Sequence, residues 1–426
     1  MNLDKLDRMQ IKKIEFWLVP LLTVSVFGAF LGPYISVTVL VVGVALTLVL
    51  GMLFQVSGSS LISWHQIPAF WPILFLITAI GFSIALAPPY PSAKSIEKCG
   101  YLLCFLPFTS LFYKNPELKT KVVRIAAPLA LSLGLLASAQ FLGWLEGAPA
   151  FFNKHLKPAP HAPGYYIATG LTFHHTPFAA TVLWLFQVLL AQRILNPQVQ
   201  NKGWITSAVI ACGVAILTTF SRGVWLATLL STVLALSLIN WRKAASGILV
   251  FSVLIGLLFI ISPPFQRRLH SYQLSHNPDR LAVWSIAIHM FRDSPWTGQG
   301  YHSFGSRLAE FAPDHAKDPG FPKEAHNMYL DFLATTGILG SLAFLNLLLA
   351  WTRILIRGYR LRSLNPSDRA LIVASIGGFS GFLVAGCFDR HFYMTQTLTP
   401  LLFFLSLATS IVLRSERALQ EAPKRL

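Results

Sequence analysis

Long runs of apolar residues, separated by short polar connections, extend through almost the whole chain. A bilayer's hydrocarbon core, about 30 Å thick, is crossed by a helix of roughly 20 apolar residues. Segments of that kind stand near 14–32, 35–56, 69–87, 97–113, 122–143, 176–195, 204–220, 223–240, 246–262, 329–352, 370–388 and 397–413. The pattern predicts an all-α integral membrane protein with about 12 transmembrane helices. The fourth segment is the weakest, because uncharged Cys99–Tyr113 reaches only roughly 22 Å as a helix; removing it would invert every later connection. Two connections are long. The first, 144–175, sets Lys154, His155, Lys157, His161, His174 and His175 among prolines; the second, 263–327, holds six of the twelve histidines. A long structured loop among short ones is where function is expected. The expected organisation is transmembrane helices 1–9 in 1–262, a loop with amphipathic helices and catalytic elements in 263–327, and helices 10–12 with a tail in 328–426.

Composition narrows the class further. Of the 426 residues 54% are apolar and 12% charged, against about 45–50% and 25% in soluble domains. With 32 Phe and 11 Trp, disorder, a disulfide scaffold and a coiled coil are excluded. Cys99, Cys104, Cys212 and Cys387 all lie in apolar runs, so neither a disulfide nor a thiolate metal site is expected. The net charge of +17 must be read loop by loop rather than as a nucleic-acid signal. With the amino terminus inside, 21 Lys and Arg fall on the cytoplasmic side and 13 outside, seven of these in the long loop 263–327, which contributes little to orientation. Both termini are therefore expected in the cytoplasm. Lys12 and Lys13 precede an apolar run that no small-residue cleavage site follows, so no cleaved leader is expected.

Charges within apolar segments, the mark of ion-coupled transport, are nearly absent, and no acidic residue stands between Glu146 and Asp279. There is no Asp-x-Asp pair and no phosphate-binding glycine loop. Three positive signals stand out. Arg222, in Ser221-Arg222-Gly223, has no other charge within about 18 residues; it is either an interfacial arginine reaching headgroups or a functional cation. Asn277-Pro278-Asp279-Arg280 opens a helix with an apolar stripe of Leu281, Trp284, Ile288 and Phe291, suited to the membrane surface. Arg280 there either completes an anion site at a helix amino terminus or pairs with Asp279 or a lipid phosphate. His326 stands at the mouth of the tenth segment, after Lys323 and Glu324; it is either a proton acceptor or a structural cap. His270, His276, His302 and His315 show no metal-ligand spacing, the neighbours His174 and His175 do not chelate easily together, and no metal is expected. Asp389-Arg390-His391 reads as a local ion pair.

In chain order, Ser221-Arg222-Gly223-Val224-Trp225-Leu226, then Arg280 with Trp284, Pro295, Gly298 and Gly300, then the run from His326 through Gly340 resemble bacterial O-antigen ligases and polymerases. These are integral-membrane glycosyltransferases that use undecaprenyl-diphosphate-linked sugars. The likeness covers about residues 200–350. It implies that Arg222 and Arg280 hold the donor diphosphate and that His326 is the catalytic base or orients the acceptor. It also implies a site facing the periplasm from the inner membrane, no cofactor, undecaprenyl-diphosphate-linked O-antigen as donor and lipid A–core oligosaccharide as acceptor, with membrane lipid around the protein and no nucleic-acid partner. Lys323, His302, Asp389 and Arg390 are second-rank site residues. A single dominant outer loop favours the ligase. The alternatives are a polymerase joining lipid-linked repeats, protein O-glycosylation, and a transporter that binds the donor without consuming it.

Overall fold

The structure, a computed structural model, describes residues 62–87, 100–149, 155–159, 162–199, 201–242, 278–316 and 320–421, with isolated positions between them. In chain order these form α1 (Phe70–Leu86), α2 (Phe105–Lys114), α3 (Leu118–Phe141), a short antiparallel pair β1 (Lys157–Pro158) and β2 (Tyr166–Ile167), α4 (His175–Leu195), α5 (Lys202–Thr218) and α6 (Arg222–Ile239). The long connection then supplies α7 (Pro278–Asp293), α8 (Phe304–Phe311) and α9 (Pro313–Ala316), followed by α10 (Met328–Arg360), α11 (Pro366–Ala385) and α12 (Thr395–Glu421).

Among the described residues, six helices, α3, α4, α6, α10, α11 and α12, are long and apolar enough to cross a membrane; α1 and α5 are apolar but shorter. They match the segments expected near 122–143, 176–195, 223–240, 329–352, 370–388 and 397–413, with 69–87 and 204–220 as the shorter pair. The segment expected over 97–113 is interrupted. A turn at Cys104 separates helical residues 100–103 from α2, which at 10 residues is too short to cross alone. Segments 14–32 and 35–56 lie outside the described residues, as does nearly all of 246–262.

One end of the bundle gathers the amino ends of α4, α10 and α12 and the carboxyl end of α11. There Met328 N–H donates to Gly386 O at 2.7 Å and Thr181 Oγ1 to Gln396 O at 3.0 Å. The other end holds Lys119, Arg357, Arg414 and Arg417, with ion pairs Lys119–Asp368 and Arg357–Glu416, both at 2.6 Å. Against the first end packs a small separate core, in which Val283, Ile286, Ala287 and Met290 of α7 meet Phe304, Leu308, Phe321 and Ala334. This packed face is not the stripe expected at the membrane surface: Leu281 and Ile288 of that stripe are exposed.

The outer core is joined to the bundle through a break in α10. Gly337 has φ +63° and ψ −162°, so the helix stops and restarts there. The turn after α7 enters the gap and satisfies the backbone groups that the break releases. Ile338 N–H donates to Pro295 O at 2.8 Å, Leu339 N–H to Trp296 O at 3.2 Å, and Gln299 N–H to Ala334 O at 3.0 Å. Only glycine permits the approach. A Cβ on Gly298 (φ +67°) would fall 2.4 Å from the Thr335 carbonyl carbon, and one on Gly337 would fall 2.5 Å from Trp296 backbone.

Gly298→Ala and Gly337→Ala should therefore each cost at least about 1–3 kcal/mol, since backbone strain and a backbone collision add. Gly213→Ala in α5, where no atom lies within 4 Å of the added carbon, should be neutral or stabilising by up to about 1 kcal/mol. Thermal unfolding of the three variants in one detergent checks this; equal melting temperatures for all three would contradict it.

Candidate active site

Asp389 follows α11 and is buried, its side chain 7% exposed. A buried carboxylate is tolerable only when hydrogen-bonded or paired, and three segments supply its partners. Thr176 Oγ1, in the first turn of α4, donates to Oδ2 at 2.7 Å. Arg390 N–H donates to Oδ1 at 2.8 Å. His326 Nδ1 stands 3.5 Å from Oδ1, a long contact of the kind that tightens when substrate binds. Burial opposes ionisation of Asp389, but the bond from His326, the charges of His391 and His326, and the Thr176 hydroxyl together hold it well below the usual carboxylate range.

Local sequence explains where His326 sits. Asn327 caps α10, its Oδ1 accepting from Tyr329 N–H at 3.0 Å and Leu330 N–H at 3.1 Å. The residue before the cap is turned into the left-handed region, φ +46°, which aims the ring at Asp389 and leaves it 35% exposed. With Nδ1 toward a carboxylate, the imidazole keeps Nε2 for chemistry.

The two arginine segments converge on the same end. The position of Gly223 abuts Phe388, an added Cβ falling 2.6 Å from the phenylalanine Cβ, so exposed Arg222 at the start of α6 adjoins the segment carrying Asp389. Trp284 Nε1 of α7 donates to Ala325 O at 3.0 Å, tying that helix to the residue before His326. Arg280, one turn earlier on the same helix face and exposed, is thereby held beside the histidine's segment.

The second-rank residues divide. Asp389 and Arg390 do not form the expected local ion pair: the Arg390 guanidinium pairs with Glu324 instead and lies 5.9 Å from the Tyr393 ring centroid. Two long-range pairings replace one short one, because Asp389 turns into the protein and Arg390 along its surface. His302, with φ +66°, sets its ring 5.8 Å from Tyr393. Lys323 is exposed, with its backbone carbonyl against Gly305. His270 and His276 lie outside the described residues.

Residues 207–345 match the family model described as O-antigen ligase. The match covers about a third of the chain, which over that stretch is similar to this family. No curated protein matches the chain. The O-antigen ligase match takes in Arg222, Arg280, the inserted turn and His326, so the resemblance read from the sequence holds there; Asp389 and Thr176 lie beyond it.

Several residues of the site carried no sequence signal. Thr176 reads as the first residue of the segment expected over 176–195, His174 as half of a neighbouring pair that does not chelate easily, and Glu324 as a neighbour of His326. Asp331, fully buried in the first turn of α10, was taken into an apolar segment. Glu324, His326 and Asp389 offer donor atoms within 4.8 Å of one another, a spacing that suits a cation. Their oxygens are already engaged, Glu324 by Arg390 and Asp389 by Thr176.

Two histidines near Asp389, His174 and buried His391, give the fold a pH dependence. Desolvation draws His391 and His174 below the ordinary histidine value of 6.5, despite the opposing charge of Asp389. Below about pH 6.5 the unfolded chain then binds more protons than the folded one, so stability falls as pH drops. Depressed Asp389 acts with the same sign, its contribution present above about pH 3.8 and lost below. The melting temperature in detergent should decline from pH 7 to pH 5, and less steeply in His391→Gln; a rise toward pH 5 would contradict the assignment.

Proposed function

We propose that the protein transfers O-antigen from undecaprenyl diphosphate to lipid A–core oligosaccharide at the periplasmic face of the bacterial inner membrane. The observation that carries this reading is the meeting of His326 with Asp389 at the end of the bundle where the Arg222 and Arg280 segments converge, inside and beside the matched segment. The cations Lys119, Arg357, Arg414 and Arg417 at the opposite end support a cytoplasmic placement of that end, and hence a periplasmic site.

The chemistry follows from the groups available. A sugar diphosphate already carries a good leaving group, so transfer needs charge stabilisation more than a protonating acid. Arg222 and Arg280 receive the diphosphate. His326 Nε2 takes the proton of the acceptor hydroxyl as its oxygen attacks the anomeric carbon, and the bond to the diphosphate oxygen breaks on the opposite face, inverting the centre. Asp389 stabilises the imidazolium that forms. No metal is required on this route.

His326→Ala should lose about 10²–10⁴ in transfer rate while still binding donor. Arg222→Lys and Arg280→Lys should each lose about 10-fold or more, because a lysine cannot bridge two phosphate oxygens as a guanidinium does. Rates are measured with lipid-linked donor and core acceptor at matched protein levels. Wild-type rates in both lysine variants would move the diphosphate elsewhere. In cells, loss of the gene should leave core without a ladder; core bearing one repeat would mean a polymerase instead.

Excess chelator should leave the purified enzyme's rate unchanged. Activity abolished by chelator and restored by Mg²⁺ or Mn²⁺ would turn Glu324, His326 and Asp389 from an organic base assembly into a metal site.

A further inference from the structure

A second histidine reaches the same carboxylate. His174 precedes α4, and its Nδ1 lies 2.8 Å from Thr176 Oγ1, whose hydroxyl donates to Asp389 Oδ2 at 2.7 Å. The one hydroxyl proton is committed to the carboxylate, so the 2.8 Å contact takes its proton from His174 Nδ1. Thr176 N–H also reaches Nδ1, at 3.5 Å, as a long cap contact at the start of α4. His326 turns its own Nδ1 to Oδ1 of the same carboxylate. Asp389 thus orients both rings, one directly and one through a hydroxyl, and in each the Nε2 corner is left for another partner.

The segment carrying His174 is fastened before any substrate arrives. Buried Gln140 of α3 accepts from Thr169 N–H at 3.0 Å and Gly170 N–H at 2.9 Å, and donates to Gly170 O at 2.7 Å. The groups facing His174 are Asp389 and Glu324, which favour its protonation, and Lys157 and His326, which oppose it; His175 adjoins it, ring centroids 4.1 Å apart. Desolvation by its neighbours is the largest influence and draws the pKa below the ordinary value, which favours the neutral ring; the side chain is exposed to a ligand. A neutral ring suits a saccharide hydroxyl, whereas a diphosphate is better met by guanidinium.

We infer that His174 is an acceptor-binding residue: its Nε2 accepts a hydrogen bond from a hydroxyl of the saccharide that His326 activates. This rests on the proposed transfer reaction and names the part of the site that holds the acceptor. His326 must touch the attacking hydroxyl, and the ring anchored on the same carboxylate is the group best placed for that saccharide's next hydroxyl.

Diethyl pyrocarbonate acylates neutral imidazole, and peptide mapping of the full-length protein in detergent reads the modification at each histidine. His174 should be modified, protected several-fold by lipid A–core oligosaccharide and not by lipid-linked donor, in wild type and in His326→Ala alike. Protection by donor alone, or by neither, overturns the inference. Because His326→Ala is read for binding only, protection there stands even if transfer is found to proceed by another route. In kinetics, His174→Ala should raise acceptor KM about 2- to 10-fold, the worth of one neutral hydrogen bond, with donor KM held. His174→Gln should recover part of the loss, and Thr176→Val, which frees the ring, should fall between. An equal rise in donor KM, or a fall in kcat with acceptor KM unchanged, overturns it.

Discussion

A carboxylate taken out of water at the end of α11 constrains everything around it. Asp389 cannot stay ionised in that position unless its oxygens are engaged, and the partners come from α4, from the segment before α10 and from its own following peptide. Two helix ends and a loop are therefore registered against one side chain. The outer ends of α10 and α11 are further pinned by Met328 N–H to Gly386 O and by the Tyr329 hydroxyl to Leu383 O, both close to 2.8 Å. His326 inherits its position from this frame.

The break at Gly337 performs a complementary task. A helix that stops inside the protein releases N–H and C=O groups that must find partners, and here a neighbouring turn supplies them. Since that turn ends α7 and the broken helix starts beside His326, the arginine helix and the histidine helix are spliced through backbone bonds rather than by side-chain packing alone. Mobile connections would let Arg280 drift relative to His326. A backbone splice suits a site that must hold two charged groups of a substrate and a base in fixed relation.

Hydropathy made the helices legible, because crossing a bilayer demands a length and an apolarity that few other structures need. At 97–113 the apolar run is real and helical from residue 100, but tightens into a turn at Cys104. Isolation in the sequence singles out Arg222, and position at a helix start singles out Arg280 and His326; Gly298 and Gly337 are visible in the glycine pattern, but its cause at these two positions, the close approach of two backbones, needs three dimensions. What could not be read was pairing between segments far apart. Arg390 looks like a partner for adjacent Asp389, yet its guanidinium goes to Glu324, 66 positions away. Thr176 looks like an unremarkable helix start, and its role depends on a carboxylate 213 positions away. Local charge patterns say which groups need partners and not which partners the fold brings.

The outer cations then sort by what surrounds them. Arg390 is paired with Glu324, so its charge is largely cancelled toward a ligand and its part is to brace the segment behind His326. Arg222 and Arg280 are exposed at the same end. In the proposed reaction both would meet the dianionic diphosphate, close to the low-dielectric interior of the bundle where charge interactions are stronger. Of the two acids beside His326, Glu324 is paired with Arg390 and Asp389 is buried rather than turned to the mouth. In the proposed reaction, that arrangement would let a carboxylate stabilise a protonated base without repelling the substrate's phosphates, which is the condition a base beside an anionic donor has to meet.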